Sequence, residues 1–380
     1  MMSATTPEQF GAVGDGVTDD TIAFQSALDA AGVVSCAPNA VYLVSAQGTM
    51  TGDALNTPYC LCITTAHDAR MIHGNGATLK LAPAQAANSI MLLIRGSSTA
   101  KRMAATLIDG LHFCGNSATQ SAWTDFAMLE VAYADNVTVQ NCSFSDPPQG
   151  GMQVFRNSQN CRVLFSRFAH GPLANALRIE VPGALVVGNV FIGDTAIGLR
   201  TSLDLSTNND IGVVGEYLIV QANTFIGGYN PIGATGIRHC LIEGNTIRDV
   251  INVNGVALTL GPYAAGPGYD SLDNTMSNNI IHNCRMGIIL NGNAVLGAKR
   301  TIVTNNQITR GAGVAMAYGI REMPGGAASD NLIMGNRIVV DGAGRVGMRF
   351  ESAATSALWN VVTALNGATA IVPGLARIEA

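Results

Sequence analysis

The sequence is poor in charge. Only 12% of its 380 residues are Asp, Glu, Lys or Arg, and 21 cations face 26 carboxylates. A net charge of −5 gives no basic footprint for a phosphate backbone, so nucleic acid is not an expected partner. Long apolar runs are missing as well. Mean hydropathy is positive, at +0.26, yet no stretch of about 18 uninterrupted apolar residues occurs, and a membrane-spanning helix is not expected. None of the eight cysteines forms a CxxC pair. Cys114, Cys142, Cys161, Cys240 and Cys284 lie inside apolar stretches, and Cys60 and Cys62 would share one strand face, so they read as reduced core residues. The six histidines, His67, His73, His112, His170, His239 and His282, stand singly. No metal centre and no cofactor is therefore expected. The N-terminus MMSATTPEQF has neither the basic nor the apolar segment of a secretory leader.

What is abundant is glycine, with 43 residues, and short apolar runs of three to five residues broken by Gly, Asn and Asp. That texture belongs to many short strands and tight turns. The segments VTVQNCSF, CRVLFSRF, ALVVGNVF, LIVQANTF, CLIEGNTI, TMSNNII, TIVTNNQI and NLIMGNRI align on Cys142, Ser166, Asn189, Asn223, Asn245, Asn279, Asn306 and Asn336. Their spacings are 24, 23, 34, 22, 34, 27 and 30 residues, a repeat with a floor and variable insertions. This is the mark of a solenoid with loops of changing length. β-Branched residues at alternating positions make the unit strands rather than a helix pair. Six of the eight aligned residues are Asn, which tolerates a left-handed turn and can bond the Asn of the coils above and below. An internal Asn ladder points to a parallel β-helix.

A second strand per unit is expected in 126–131, 151–156, 176–181, 196–201, 255–260, 287–292, 319–324 and 347–352, usually opened by a small residue. Alternation points Leu177, Ile179, Ile197, Leu199, Val256, Leu258, Ile288, Leu290, Met348 and Phe350 inward. One outward column then reads Glu130, Phe155, Glu180, Arg200, Thr259, Asn291 and Glu351. Its neighbour reads Gln153, Arg178, Gly198, Ala257, Ile289, Arg321 and Arg349.

Ahead of the repeat stands FGAVGDGVTDDTIAFQSALDAAG, residues 10–32. Gly11, Gly14 and Gly16 permit a tight turn, and Thr18, Asp19 or Asp20 can cap a helix over about 19–31. Ile22, Ala23, Ala27 and Leu28 would form its apolar face, covering the open end of the solenoid. The glycine spacing is not that of a dinucleotide loop. A calcium site at Asp15, Asp19 and Asp20 is the alternative use of the acids, without EF-hand spacing.

Residues 10–32, followed by VYLVS (41–45) and IHGNGATLKL (72–81), resemble the N-terminal segment of the pectate-lyase-like superfamily, in the branch of phage tailspike depolymerases and polygalacturonase-like proteins. The resemblance covers the first quarter by motif and the rest by repeat pattern. It implies an all-β, single-stranded right-handed parallel β-helix with a short N-terminal capping helix, acting on polysaccharide and often trimeric. One domain over 1–380 is expected, with a cap segment at 1–40, coils at 41–365 and an end at 366–380. A virion tail or the cytoplasm is the expected location, with the glycan outside the cell. The reaction motifs of the individual families are missing. GIRHC (236–240) only echoes Gly-His-Gly, and SDPPQ (145–149) lacks the His of Asp-Pro-His.

The candidate chemistry is therefore read from the strands. Arg178 and Glu180, then Arg200, put charge on successive coils. Two Gly/Pro-rich excursions follow, 201–217 with Asp204, Asp210 and Glu216, and 261–273 with Tyr263, Tyr269, Asp270 and Asp273. Glycoside hydrolysis needs two carboxyls, one protonated. Glu180 with Asp204 is the preferred pair, with Asp210 and Asp270 as substitutes, and Arg200 would keep one of them ionised. Tyr263 and Tyr269 would stack on sugar rings, and Arg178, Arg200 and His170 would bind substrate. Elimination from a uronate, using Arg178, Arg200 and His170, is the second reading. A non-catalytic glycan-binding or structural β-helix is the third.

Overall fold

A computed structural model of the chain describes residues 4–50, 57–65, 70–120, 127–148, 150–155, 157–169, 175–193, 201–207, 214–264, 268–311, 314–323, 327–372 and 377–379. The chain folds as two compact units, Met1–Arg178 and Ile179–Ala380, and each winds its strands into three parallel sheets.

In the first unit the first sheet stacks Val33–Ser35, Met71–His73, Leu107–Asp109, Thr138–Gln140 and Arg162–Leu164 in parallel register. The second stacks Val41–Val44, Thr78–Leu81, His112–Cys114, Ser143–Ser145 and Arg167–Ala169. The third stacks Thr57–Thr64, Ile90–Arg95, Ala127–Ala132 and Gly150–Phe155. One residue per coil repeats at each inward position, so like packs on like. Phe113, Phe144 and Phe168 stack at 4.8 and 4.7 Å with nearly parallel rings.

The expected helix is present as Thr21–Ala30. Its buried face is Phe24, Ala27 and Leu28, while Ile22 is 67% exposed, so the apolar face is turned from the one expected. The i, i+3, i+4 row that starts at Phe24 wins because Phe24 meets Tyr42 edge-on at 5.2 Å. Gln25 shows how the helix covers the sheet edge. Its amide donates to the Cys62 carbonyl and accepts from the Cys62 N–H, each at 2.9 Å, as a neighbouring strand would.

The aspartates of the opening motif are occupied by their own loop. Asp20, 1% exposed, accepts from the N–H groups of Val13 at 2.7 Å and Gly14 at 3.1 Å. Asp15 accepts from Val17 and Thr18, and Asp19 from the Thr21 N–H and the Ser45 hydroxyl. Burial pushes the Asp20 carboxyl above the usual carboxylate range, against its two backbone hydrogen bonds. Its neighbour Asp15 is held below that range, chiefly by the Thr18 and Val17 N–H groups.

In the second unit the Asn ladder is complete. Asn189, Asn223, Asn245, Asn279, Asn306 and Asn336 each pass an amide hydrogen bond to the next, the last to Asn360, at 2.9–3.0 Å. The ladder residue is not the left-handed one. The residue before it is: Gly188, Ala222, Gly244, Asn278, Asn305, Gly335 and Trp359 all have φ between 51° and 69°. That residue turns the chain, and the Asn side chain then points into the corner and satisfies buried backbone, as Asn279 does at the Ile242 carbonyl (3.0 Å).

The third sheet of this unit corrects two sequence expectations. Thr201–Ser206 is a strand of the sheet rather than the start of an excursion, and Asn230–Thr235 is a further strand. The outward register also differs. Asp204 lies beside Gly233, then Thr259, Ile289, Arg321 and Arg349, so Thr259 does not share a column with Asn291 or Glu351. In the first unit Glu130 likewise lies beside Gln153, not Phe155.

The cause is a corner at the start of these strands. Ala257 and Leu258, Gly287 and Ile288, Gly319 and Ile320, and Gly347 and Met348 are consecutive buried pairs. In the three glycine pairs the first residue faces backbone so closely that a Cβ on Gly287 would stand 2.2 Å from the Gly319 carbonyl oxygen. Ala257 at the same place is inside, and Val256 is only half-buried. One inward position holds a carboxylate. Glu322, aligned with Leu290, is fully buried and accepts from Asn331, Thr355 and the N–H groups of Glu351 and Ser352.

All eight cysteines are free, and seven are buried, with Cys114 half-buried. Burial pushes the Cys161, Cys240 and Cys284 thiols up to about 12, as suits inert core residues.

Candidate functional site

The outward face of the third sheet in the second unit carries the preferred carboxylates. Asp204 is half-buried between the inward Leu203 and Leu205. Glu180, also half-buried, accepts a hydrogen bond from the Ser206 hydroxyl at 3.4 Å. Ser206 stands two residues beyond Asp204 on the same strand. Further along this face, the Arg321 guanidinium lies 4.3 Å from the centre of the Tyr318 ring, and Arg349 donates to Glu351 at 2.8 Å. The Glu351 hydrogen bond and charge hold Arg349 above its ordinary value.

The other sequence candidates are placed as follows. Arg178 is half-buried at the end of the first unit. Tyr263 and Tyr269 exchange backbone hydrogen bonds of 2.8 and 2.9 Å. Asp270 fastens the residues after Tyr269. One of its oxygens accepts from the Gly297 N–H at 2.7 Å and the other from Lys299 at 3.0 Å. His170, Arg200 and Asp210 lie outside the described residues. Among the described residues no group of three or more His, Cys, Asp or Glu side chains could hold a metal ion.

The sequence reading missed a second assembly, at the corner that leads into the first sheet of this unit. Tyr217, His239, Asp273, Arg300 and Asp330 occupy the same place on successive coils, each with φ between 50° and 57°. The Tyr217 ring stacks on His239 at 5.4 Å. His239 Nδ1 is 4.0 Å from Asp273, and Arg300 holds Asp273 with two hydrogen bonds of 2.7 and 2.6 Å. Those hydrogen bonds, against a smaller effect of burial, keep the Asp273 carboxyl below the usual range. Beside this row, Arg238 lies 5.9 Å from the centre of the Tyr269 ring. Each member stands six residues before a ladder asparagine, as Tyr217 does before Asn223 and His239 before Asn245. That fixed offset was the available signal. It was hidden because the residue type changes at every coil.

No protein-family model matches the chain, and no curated protein matches it. Solved structures do. PfbA, a surface adhesin of Streptococcus pneumoniae, aligns over 97% of this chain and 91% of its own, with a TM-score of 0.66 at 16% identity. The A-module of the mannuronan C-5 epimerase AlgE4 of Azotobacter vinelandii aligns over 99% of both chains, with a TM-score of 0.64 at 19% identity. A mutant tailspike protein of E. coli bacteriophage HK620, in complex with a pentasaccharide, aligns over 94% of this chain and 67% of its own, with a TM-score of 0.70 at 13% identity. At these identities the likeness is one of fold, and it bears out the expected architecture. The chain is a right-handed parallel β-helix, the fold of these adhesin, epimerase and tailspike structures.

Proposed function

We propose that the protein binds a polysaccharide along the outward face of its third sheet and hydrolyses it with Glu180 and Asp204. The observation that carries this reading is the diagonal offset of the two carboxylates on adjacent coils. Glu180 reaches Ser206, and Asp204 stands two residues before Ser206. A step of one strand and two residues separates such positions by about 8 Å. Carboxyls about 6.5–9.5 Å apart leave room for a water and suit inverting hydrolysis, one acting as acid and the other as base. The fold neighbour bound to a pentasaccharide supports a glycan ligand. Arg321 and Tyr318 on the same face offer a cation and a ring to sugars, and Arg178, Arg200, His170, Asp210, Tyr263 and Tyr269 stay in the proposal as further contacts. Asp270 is the weakest of the acids, because both its oxygens are taken. No cofactor is invoked.

A second reading is glycan binding without cleavage. The engagement of Asp270 favours it, since one carboxylate fewer is free for chemistry, and one fold neighbour is an adhesin. Self-association, as a trimer, belongs to either reading. The surface suited to it is the outward column Leu185, Ile219, Leu241, Thr275, Ile302 and Leu332 of the first sheet, which is apolar but for Thr275 and at least partly exposed.

The test is release of reducing ends from a panel of bacterial and plant polysaccharides, with the ultraviolet absorbance of unsaturated uronates read in parallel. Glu180→Gln and Asp204→Asn are each expected to lower kcat by about a hundredfold or more while leaving the melting temperature in place. Unsaturated product would replace hydrolysis by elimination. A wild-type chain that binds a glycan of the panel without any turnover would establish the second reading.

A further inference from the structure

The corner row of the second unit is not used by the cleavage just proposed, and it exposes the aromatic ring of Tyr217. Tyr217 is a bulky residue at φ +56°, in the left-handed region that favours Gly or Asn. It is 62% exposed, so burial does not offset that strain. One face of its ring is stacked on His239, which is tied through Asp273 to Arg300. The coil before it offers Gly183 at the same place, also left-handed at φ +69° and donating its N–H to the Glu216 carbonyl. The column therefore places no side chain against the second face of the ring. Glu216 and Arg238 lie beside the row on paired coils.

We propose that Tyr217 is the platform of a second sugar subsite, distinct from Glu180 and Asp204, which takes a pyranose ring on the face turned toward Gly183. An aromatic ring offers an apolar face to the C–H side of a sugar, and Glu216, which precedes Tyr217 and is bonded through its carbonyl to Gly183, supplies an acceptor for its hydroxyls. The fixed stack beneath the ring orients it before the ligand arrives, which lowers the cost of ordering it on binding. The ligand class is thus a pyranose unit of a polysaccharide, seated by one ring on the open face of Tyr217. The subsite shares the polysaccharide ligand of the proposed function, but not its cleaving pair.

The full-length chain would be run in native gels containing bacterial O-polysaccharide, polymannuronate or dextran. Wild type and Tyr217→Phe should be retarded by at least one of the three. Tyr217→Asn, which suits the left-handed backbone, and Gly183→Asn, which covers the open ring face, should each bind about three- to tenfold more weakly. Neither should lower the melting temperature. If Tyr217→Asn is misfolded, Gly183→Asn decides. Undiminished retardation of the folded variants, or no retardation of wild type in any gel, would overturn the proposal. Glu180→Gln separates the two sites. It should keep its retardation and lose turnover. Retained turnover in that variant would remove the cleavage assignment and leave the Tyr217 result standing.

Discussion

Charge is scarce in this chain, so a single ion pair at a corner has a readable effect. Asp273 accepts both of its short hydrogen bonds from Arg300, and its carboxyl is held below the ordinary value of 3.8. A depressed folded-state value stabilises the fold above the unfolded value and is lost as pH falls through the folded one. Asp273→Asn should therefore melt lower than wild type from neutrality down to about pH 3.8, with the gap closing below that and shrinking in high salt. A gap that widens in acid would contradict this assignment. Residue identity was legible in the sequence where it repeats. The ladder asparagines announce themselves because the same corner needs the same amide at every coil. The left-handed position before them does not, because Ala222, Asn278, Asn305 and Trp359 occupy it along with Gly. Tyr217, His239, Asp273 and Arg300 were illegible for the same reason: geometry repeats there, and chemistry does not.

Among the elements, the strands of the third sheet were legible in part. Leu177, Ile179, Leu258, Ile288, Leu290, Met348 and Phe350 are buried as the alternation predicts, but it is broken at the corner, where two consecutive residues face inward, so Ala257 joins the core and the outward columns align two residues from the expected register. Small residues at that corner had been noticed in the sequence, and the structure supplies their cause. A Cβ on Gly287 would meet the Gly319 carbonyl oxygen at 2.2 Å. Gly287→Ala should cost about 1–3 kcal/mol or more, as overpacking of a close backbone contact. Gly244 is the control. It has φ +62° and nothing within 4 Å of its virtual Cβ, so Gly244→Ala should cost only the left-handed strain, about 1–2 kcal/mol. Urea unfolding of the two variants compares steric overlap with dihedral strain at glycines of one sheet system. Equal losses would show that the close contact relaxes freely. The helix Thr21–Ala30 was predicted within two residues, and Ala27 and Leu28 of its expected face are buried, but Phe24 takes the place expected of Ile22. Tyr42, Phe24's packing partner, lies in a strand that the helical period cannot see.

At the scale of the molecule, each coil is held by the next one, and stability approaches a sum of neighbour terms. The ladder makes this testable. Asn279 bonds on both sides, accepting from Asn245 and donating to Asn306 and to the Ile242 carbonyl. Asn279→Ala would leave buried groups unpaired on two coils and should cost about 3 kcal/mol in urea unfolding. Asn360 has a ladder partner on one side only among the described residues, so Asn360→Ala should cost roughly half as much. Equal costs would mean that the coils unfold without regard to their neighbours. The same ladder has a wider consequence. Its successive members are 34, 22, 34, 27, 30 and 24 residues apart in sequence, yet every rung has the same length to within 0.1 Å. The frame counts coils and ignores how much chain lies between them. Each loop is thus an independently editable cassette, whose length can drift while the spindle that carries it keeps its pitch.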